Sequence, residues 1–171
     1  YGLSLIFSNP SVAFRVYHAV TRDMPGMKHG VAPVSQKGGF IMVYSAANMP
    51  PSHELQRVEE PWIRAEIVSP QRFLGALSEL IHERKGILGR SPLILAGDRL
   101  RISFEAPLRE IIVDFHDVLK SASQGFASFS YALAGYRPTD VVRLDVCVAG
   151  KRVQAFSEIV PRDDAYAISR A

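Results

Sequence analysis

The sequence predicts an α+β fold whose centre runs strand, helix, strand, strand, helix, strand. Three observations predict it. Two stretches repeat apolar residues at helical spacing: Phe73, Leu74, Leu77, Leu80 and Ile81, then Leu108, Ile111, Ile112, Phe115, Val118 and Leu119. Segments beside them alternate apolar with polar residues, the pattern of a half-buried strand. Turn and stop signals fall between the segments in the right order, at Ser69-Pro70, Gly86, "AGDR", Pro107 and Gly125.

Residues Leu3 to Phe7 and Val12 to Ala19 read as strands separated by the turn signal "SNPS". The Gly-rich, polar stretch 21–39 reads as a long mobile loop. "FIMVYS" resumes a strand, and "AANMPPSHELQRVEEP" reads as a Pro-punctuated linker containing a domain boundary, with the linker proper over 51–60. These parts make 1–50 the end of a preceding, β-rich partial domain.

From Pro61 the signals sharpen. Trp62 to Val68 predicts a strand with Ile63, Ala65 and Ile67 on one face and Arg64 and Glu66 on the other. Ser69 offers a capping hydroxyl and Pro70 a preset φ, a helix start. Arg84 and Lys85 suit that helix's negative end, and Gly86 a left-handed stop. Ile87 to Ala96 and Leu100 to Glu105 form strands around "AGDR"; in the second, Leu100, Ile102 and Phe104 alternate with Arg101, Ser103 and Glu105. Pro107 opens the second helix and Gly125 ends it. Ala127, Phe129, Tyr131 and Leu133 then alternate with Ser128, Ser130 and Ala132. This order over 61–137 is the split β-α-β of a ferredoxin-like sandwich. Residues 138–171 begin a further region, a β-hairpin with Gly150 in its turn.

Apolar residues make up 47% of the 171, enough for a core, which excludes a disordered chain. The net charge of +3 permits an RNA or membrane partner without demanding one. Cys147 is the single cysteine, so an intrachain disulfide and a multi-thiolate metal site are excluded, and a structural role is expected for it. There is no run of about 18 apolar residues for a membrane span, and no secretory signal pattern. Histidines 18, 29, 53, 82 and 116 lack zinc-site spacing; His82 and His116 read as solvated helix residues. Asp114 with Asp117 and Asp163 with Asp164 read as solvated pairs without a nucleophile. Gly150-Lys151 lacks the rest of a phosphate loop. Thus no catalytic, cofactor-binding or metal-ligating residue is expected in these residues. The face away from the helices carries Arg64, Glu66, Arg101, Ser103, Glu105, Ser128 and Ser130, which lacks the aromatic platform of an RNA-recognition motif.

"EEPWIRAEIVSPQRFLGALSELIHERKG" resembles the start of the C-terminal sandwich domain of translational GTPases. "APLREIIVDFHDVLKSASQGFASFSYALAGYRPTDVVRLDVCVAGKRVQAFSEIVPRDDAY" resembles the elongation factor 4, or LepA, family in particular, and "YGLSLIFSNPSVAFRV" the end of that family's preceding domain. Elongation factor G carries a separate domain between these blocks. TypA/BipA-type GTPases lack it too and are the nearest competitor; the segment from Gly135 to Ala155 favours elongation factor 4. Pro161 stands where that family usually has His before "RD", and the 21–39 loop is longer than its usual hairpin. Tyr1 opens the chain in mid-strand, which reads as a piece of a larger protein. The resemblance implies a ribosome-binding part of a GTPase that remodels tRNA positions, in back-translocation or fidelity. GTP and Mg would be handled in a domain outside these residues. It further implies a monomer that contacts rRNA near the GTPase-associated region, in a bacterial cytoplasm or mitochondrial matrix, peripheral to the inner membrane.

In that family the loop after the second helix resembles a ribosome-facing tip. Lys120, Ser121, Ser123, Gln124 and Gly125 become candidate contacts, through donors to phosphates or 2′-hydroxyls. An ordinary polar helix cap is the plain alternative. Both helix C-termini are expected at one end of the sandwich, which would gather Arg84 and Lys85 with Lys120 into one anion-binding rim. A freestanding ferredoxin-like interaction or ligand-sensing module is the other functional class.

Overall fold

The structure is a computed structural model that describes residues 11–18, 39–153 and 157–168. The expected strand at Leu3 to Phe7 and most of the 21–39 loop lie outside them. The chain divides into two compact units, one holding Pro61–Gly135 and the other Ala13–Glu60 with Tyr136–Ala171. We call the first the ferredoxin-like unit and the second the flanking unit.

In the flanking unit, β1 (Phe14–His18) pairs antiparallel with β2 (Phe40–Val43) and with the start of β3 (Leu55–Pro70). Period-2 alternation decides the faces. Phe14, Val16, Ile41, Val43 and Val58 are buried on one side. Arg15, Tyr17, Phe40, Met42, Arg57 and Glu59 share the other, since Tyr17 stands opposite both Phe40 and Arg57. Residues Leu55–Glu60 are therefore strand and not linker; 3₁₀ turns at Ala46–Asn48 and Ser52–Glu54 make the actual connection.

The ferredoxin-like unit contains the rest of β3, α1 (Leu74–Glu83), β4 (Ile87–Leu88), β5 (Leu93–Leu95), β6 (Arg99–Pro107), α2 (Phe115–Ala122) and the start of β7 (Ser128–Pro138). Its sheet order is β7-β3-β6-β4, with β5 also on β6, as the split β-α-β arrangement requires. Ile63, Ala65 and Ile67 of β3 and Leu100, Ile102 and Phe104 of β6 meet Leu77, Leu80 and Ile81 of α1 and Phe115 and Leu119 of α2 in the core. On the opposite face Arg64 bonds its register partner Glu105 at 2.9 Å, and Arg101 lies 3.7 Å from Glu66. That face is closed by its own ion pairs, with Trp62 half-buried at its margin opposite Pro107.

Several local expectations are corrected. Strand β3 continues to Pro70, and the Ser69 hydroxyl is buried and donates to the Pro70 carbonyl at 3.4 Å instead of capping a helix. A 3₁₀ turn, Gln71–Phe73, precedes α1. Pro107 ends β6; a 3₁₀ turn follows at Leu108–Glu110, and α2 starts only at Phe115. The β-branched run Ile111-Ile112-Val113 explains the delay, because such side chains lose χ1 freedom in a helix. The expected strand from Ile87 to Ala96 is broken. At the break the Gly89 amide donates to the Ser103 carbonyl at 2.8 Å, and a Cβ there would sit 2.9 Å from that oxygen. Tyr131 and Leu133 continue the core-facing parity of β7 yet are exposed. Eight helical residues in α2 span about 12 Å, too short to cover a strand of 11 residues, about 36 Å long.

Back in the flanking unit, β8 (Val141–Leu144) pairs antiparallel with β11 (Glu158–Pro161), placing Pro161 opposite Val141. Between them β9 (Cys147–Val148) and β10 (Lys151–Arg152) form a tight hairpin. Gly150 is in its turn as expected, with Ala149 and Gly150 both at positive φ, the type I′ signature. Cys147 is exposed and not a structural core cysteine. α3 (Arg162–Ile168) opens with Asp163 and Asp164 in its first turn, where the helix dipole favours them.

Candidate functional site

Both helices of the ferredoxin-like unit end in the same Schellman motif. In α2 the Gly125 amide donates to the Lys120 carbonyl at 2.7 Å and the Gln124 amide to Ser121 at 3.2 Å. In α1 the Gly86 amide donates to Ile81 at 2.8 Å and the Lys85 amide to His82 at 2.9 Å. The first left-handed residue after each helix is thus Gln124 (φ 51°) or Lys85 (φ 55°), one position before the expected glycine. Gly125 is left-handed as well, at φ 81°, whereas Gly86 is required by space. A non-glycine residue pays steric strain in this region. Gln124→Gly is therefore expected to stabilise the protein by about 0.5–1 kcal/mol, read as a higher urea midpoint; an unchanged midpoint would rule the strain out.

The polar groups of the tip are largely bonded within the loop. The Ser123 hydroxyl is fully buried, donates to the Leu119 carbonyl at 2.7 Å and accepts the Ala127 amide at 3.1 Å. Ser121 donates back to the Asp117 carbonyl at 3.0 Å. The Lys120 ammonium donates to the Ala127 carbonyl at 2.7 Å, folding the side chain over the loop. Ser121, Gln124, Gly125 and Phe126 remain exposed.

The single rim is not formed. Arg84, at the end of α1, donates to both carboxylate oxygens of Asp114, at 2.7 and 3.1 Å, just before α2. These bonds hold the Asp114 carboxyl below the usual carboxylate range and raise the Arg84 guanidinium further. Lys85 lies 4.0 Å from Glu110, also ahead of α2. At the other end Phe73, just before α1, stacks on Phe126, just after α2, with ring centroids 6.2 Å apart. The helices are therefore antiparallel, and their C-termini lie at opposite ends. The hairpin into β6, which is antiparallel to β4 and β5, reverses the chain between the two crossovers and so reverses the second helix.

The end that carries Lys120 has other neighbours, which the sequence reading missed. The Arg72 guanidinium lies 4.7 Å from the Phe73 ring centre and 5.1 Å from that of Phe126, which is 53% exposed. The Gln71 amide donates to the Asp98 carbonyl at 3.0 Å, bringing the turn before Arg99 to the same end. Arg72 and Arg99 are exposed. The tip is a cationic and aromatic surface built from three loops. In sequence, Phe73 counts towards a helical stripe and Phe126 only follows a stop signal, so nothing local shows that they meet.

Other chemistry is sparse. His82 and His116 are exposed, as expected of solvated helix positions. A groove of about 510 Å³ in the flanking unit is lined by Arg57, Thr139, Asp140 and Arg162 among others. Its guanidiniums are committed, Arg162 to Asp140 at 2.8 Å and Arg57 to Glu59 at 2.7 Å. Among the described residues there is no metal-binding cluster, and no helix long and apolar enough to cross a membrane.

Comparison with known proteins places this geometry. The family described as Elongation factor G C-terminus matches residues 57–147. Elongation factor 4 of Desulforudis audaxviator is 40% identical over 166 residues, covering 97% of this chain and 25% of the relative. Elongation factor 4 of Anoxybacillus flavithermus is 36% identical over 97% of the chain and 24% of the relative. That of Thermus thermophilus is 35% identical over 100% of the chain and 25% of its own length. The chain thus spans about a quarter of the length of the curated relatives it matches. By the family match and these identities, the chain belongs to the elongation factor G C-terminus family, and within it is similar to elongation factor 4.

Proposed function

We propose that these residues form the ribosome-docking part of an elongation-factor-4-type translational GTPase. The similarity to elongation factor 4 along the whole chain carries the reading. GTP, with Mg, is bound and hydrolysed by a part of the protein outside these residues, and the energy is used to remodel tRNA positions on the ribosome. The protein acts as a monomer in a bacterial cytoplasm or an organelle matrix, with any inner-membrane association peripheral. The docking element is the tip after α2, the loop of Lys120, Ser121, Ser123, Gln124 and Gly125. The buried hydroxyl of Ser123 and the helix back-bond of Ser121 shape the loop, while Gln124, the Gly125 backbone, Arg72 and Arg99 make the approach. Arg84 and Lys85, at the opposite end, stand apart from this docking element.

Ribosome pelleting across a salt series tests the tip. Arg72→Glu with Arg99→Glu is expected to weaken binding and to lower the log–log salt slope by about one for each phosphate no longer neutralised. Lys85→Glu is expected to leave both unchanged. Equal weakening from the two ends, or an unaltered slope in the tip variant, would overturn the assignment.

A further inference from the structure

We propose that the aromatic face of the flanking unit's sheet binds unpaired RNA by stacking, at a site separate from the tip. Its residues come from four strands that alternate cations with rings. The Arg57 guanidinium lies 4.4 Å from the Tyr17 ring centre. Tyr17 and Phe40 lie 5.6 Å apart in a tilted pair. Arg15 reaches the Phe40 ring at 5.0 Å and the Tyr136 ring at 3.8 Å. Apolar residues of the same strands are buried on the other side, so hydrophobic burial does not require rings here. Glu59 receives Arg57 at 2.7 Å and the Tyr17 hydroxyl at 3.1 Å, fixing both against the sheet. The Arg15 guanidinium is compensated differently, by the faces of two rings.

This arrangement selects its occupant by chemistry. Aromatic rings accept any base by its π-face, and the Arg15 guanidinium between the Phe40 and Tyr136 rings adds a cation that attracts phosphate. Duplex RNA hides its base faces in its own stack, so a single strand or an unpaired loop fits. A lipid surface or an apolar peptide would call for aliphatic anchors, and among the described residues paired between β1, β2 and the Arg57–Glu59 stretch of β3 on this face Met42 is the one aliphatic-type side chain. The ferredoxin-like unit's open face offers the contrast: Arg64, Glu66, Arg101, Ser103 and Glu105, aligned on β3 and β6, include no ring.

The test is fluorescence anisotropy of this chain with a uridine-rich single strand of roughly ten nucleotides, beside a hairpin duplex. The single strand is expected to bind more tightly. Phe40→Leu and Tyr17→Leu should each weaken it about tenfold, while Lys85→Glu, after α1, leaves it unchanged. Circular dichroism checks folding. Should a ring variant fail to fold, photocrosslinking of the unaltered chain to 4-thiouridine RNA replaces it, with adducts expected on Tyr17 or Phe40. Equal affinity for duplex and single strand, undiminished binding by folded ring variants, or adducts confined to other segments would each overturn the proposal. Because the tip variants are read on ribosomes and the ring variants on free RNA, the two readings fail independently.

Discussion

Phe104→Ala is expected to cost about 3–5 kcal/mol of stability, a large share of the roughly 5–15 kcal/mol that holds a domain folded. Phe104 is 1% exposed at the centre of β6. Its ring lies 6.0 Å from that of Phe115 in α2 and 6.5 Å from that of Phe129 in β7. Truncation leaves a cavity that these neighbours, anchored on different elements, cannot close by moving together. Trp62 is the chain's one tryptophan and lies on β3, so its fluorescence in a urea titration reports the unit directly. Phe126→Ala, with its ring half in water, is the control and should cost less than about 1 kcal/mol. Similar midpoints for the two variants would mean that Phe104 is not the centre of the core.

Gly86→Ala is expected to destabilise by about 1–3 kcal/mol, as overpacking does, although it adds one methyl group at a residue without positive φ. The new Cβ would stand 2.6 Å from Ile81 Cγ2 and 2.7 Å from the Ile81 carbonyl oxygen. That carbonyl accepts the Gly86 amide, so relieving the clash strains the bond that closes α1. Ile81 is fully buried and β-branched and has no other rotamer to retreat to without disturbing the core. Gly125→Ala is the matched comparison, because a Cβ there meets nothing within 4 Å and only the backbone angle resists it. Thermal melting of both variants separates the two reasons for glycine. A melting point for Gly86→Ala at or above that of Gly125→Ala would refute the steric one.

The sandwich was legible because its two periods are clear: Ile63, Ala65 and Ile67 alternate, and Leu77, Leu80 and Ile81 recur on a turn, and all six are buried. Helix C-termini were legible to within one residue. The glycine marks the motif, but hydrogen bonding places Lys85 and Gln124 at its first left-handed position. Where local patterns competed, the sequence reading failed. Ser69-Pro70 has the chemistry of a cap, yet β6 extends the strand through it by pairing Pro70 with Arg99. Val142, Leu144 and Val146 look like one alternating strand, yet β8 ends at Leu144 and Cys147 emerges exposed in the next hairpin. The tip was half legible. A polar loop after an amphipathic helix can be read along the chain, whereas the meeting of Phe73 with Phe126 depends on the helices running in opposite directions.

The broken strand on β6 bears on solubility. Ile87, Leu88, Leu93 and Ile94 are exposed along an edge, a composition that invites another chain to add a strand and start an aggregate. Self-templating segments are typically about six residues long, uncharged and free of proline. Here the ladder is cut into runs of two and three residues. Between them stand Gly89, bent in to Ser103, the charge of Arg90, and Pro92, which has no amide hydrogen to offer. The break thus works as a gatekeeper: restoring regular pairing with Arg90→Val and Pro92→Val would complete a long apolar edge and turn it into a nucleus for fibres.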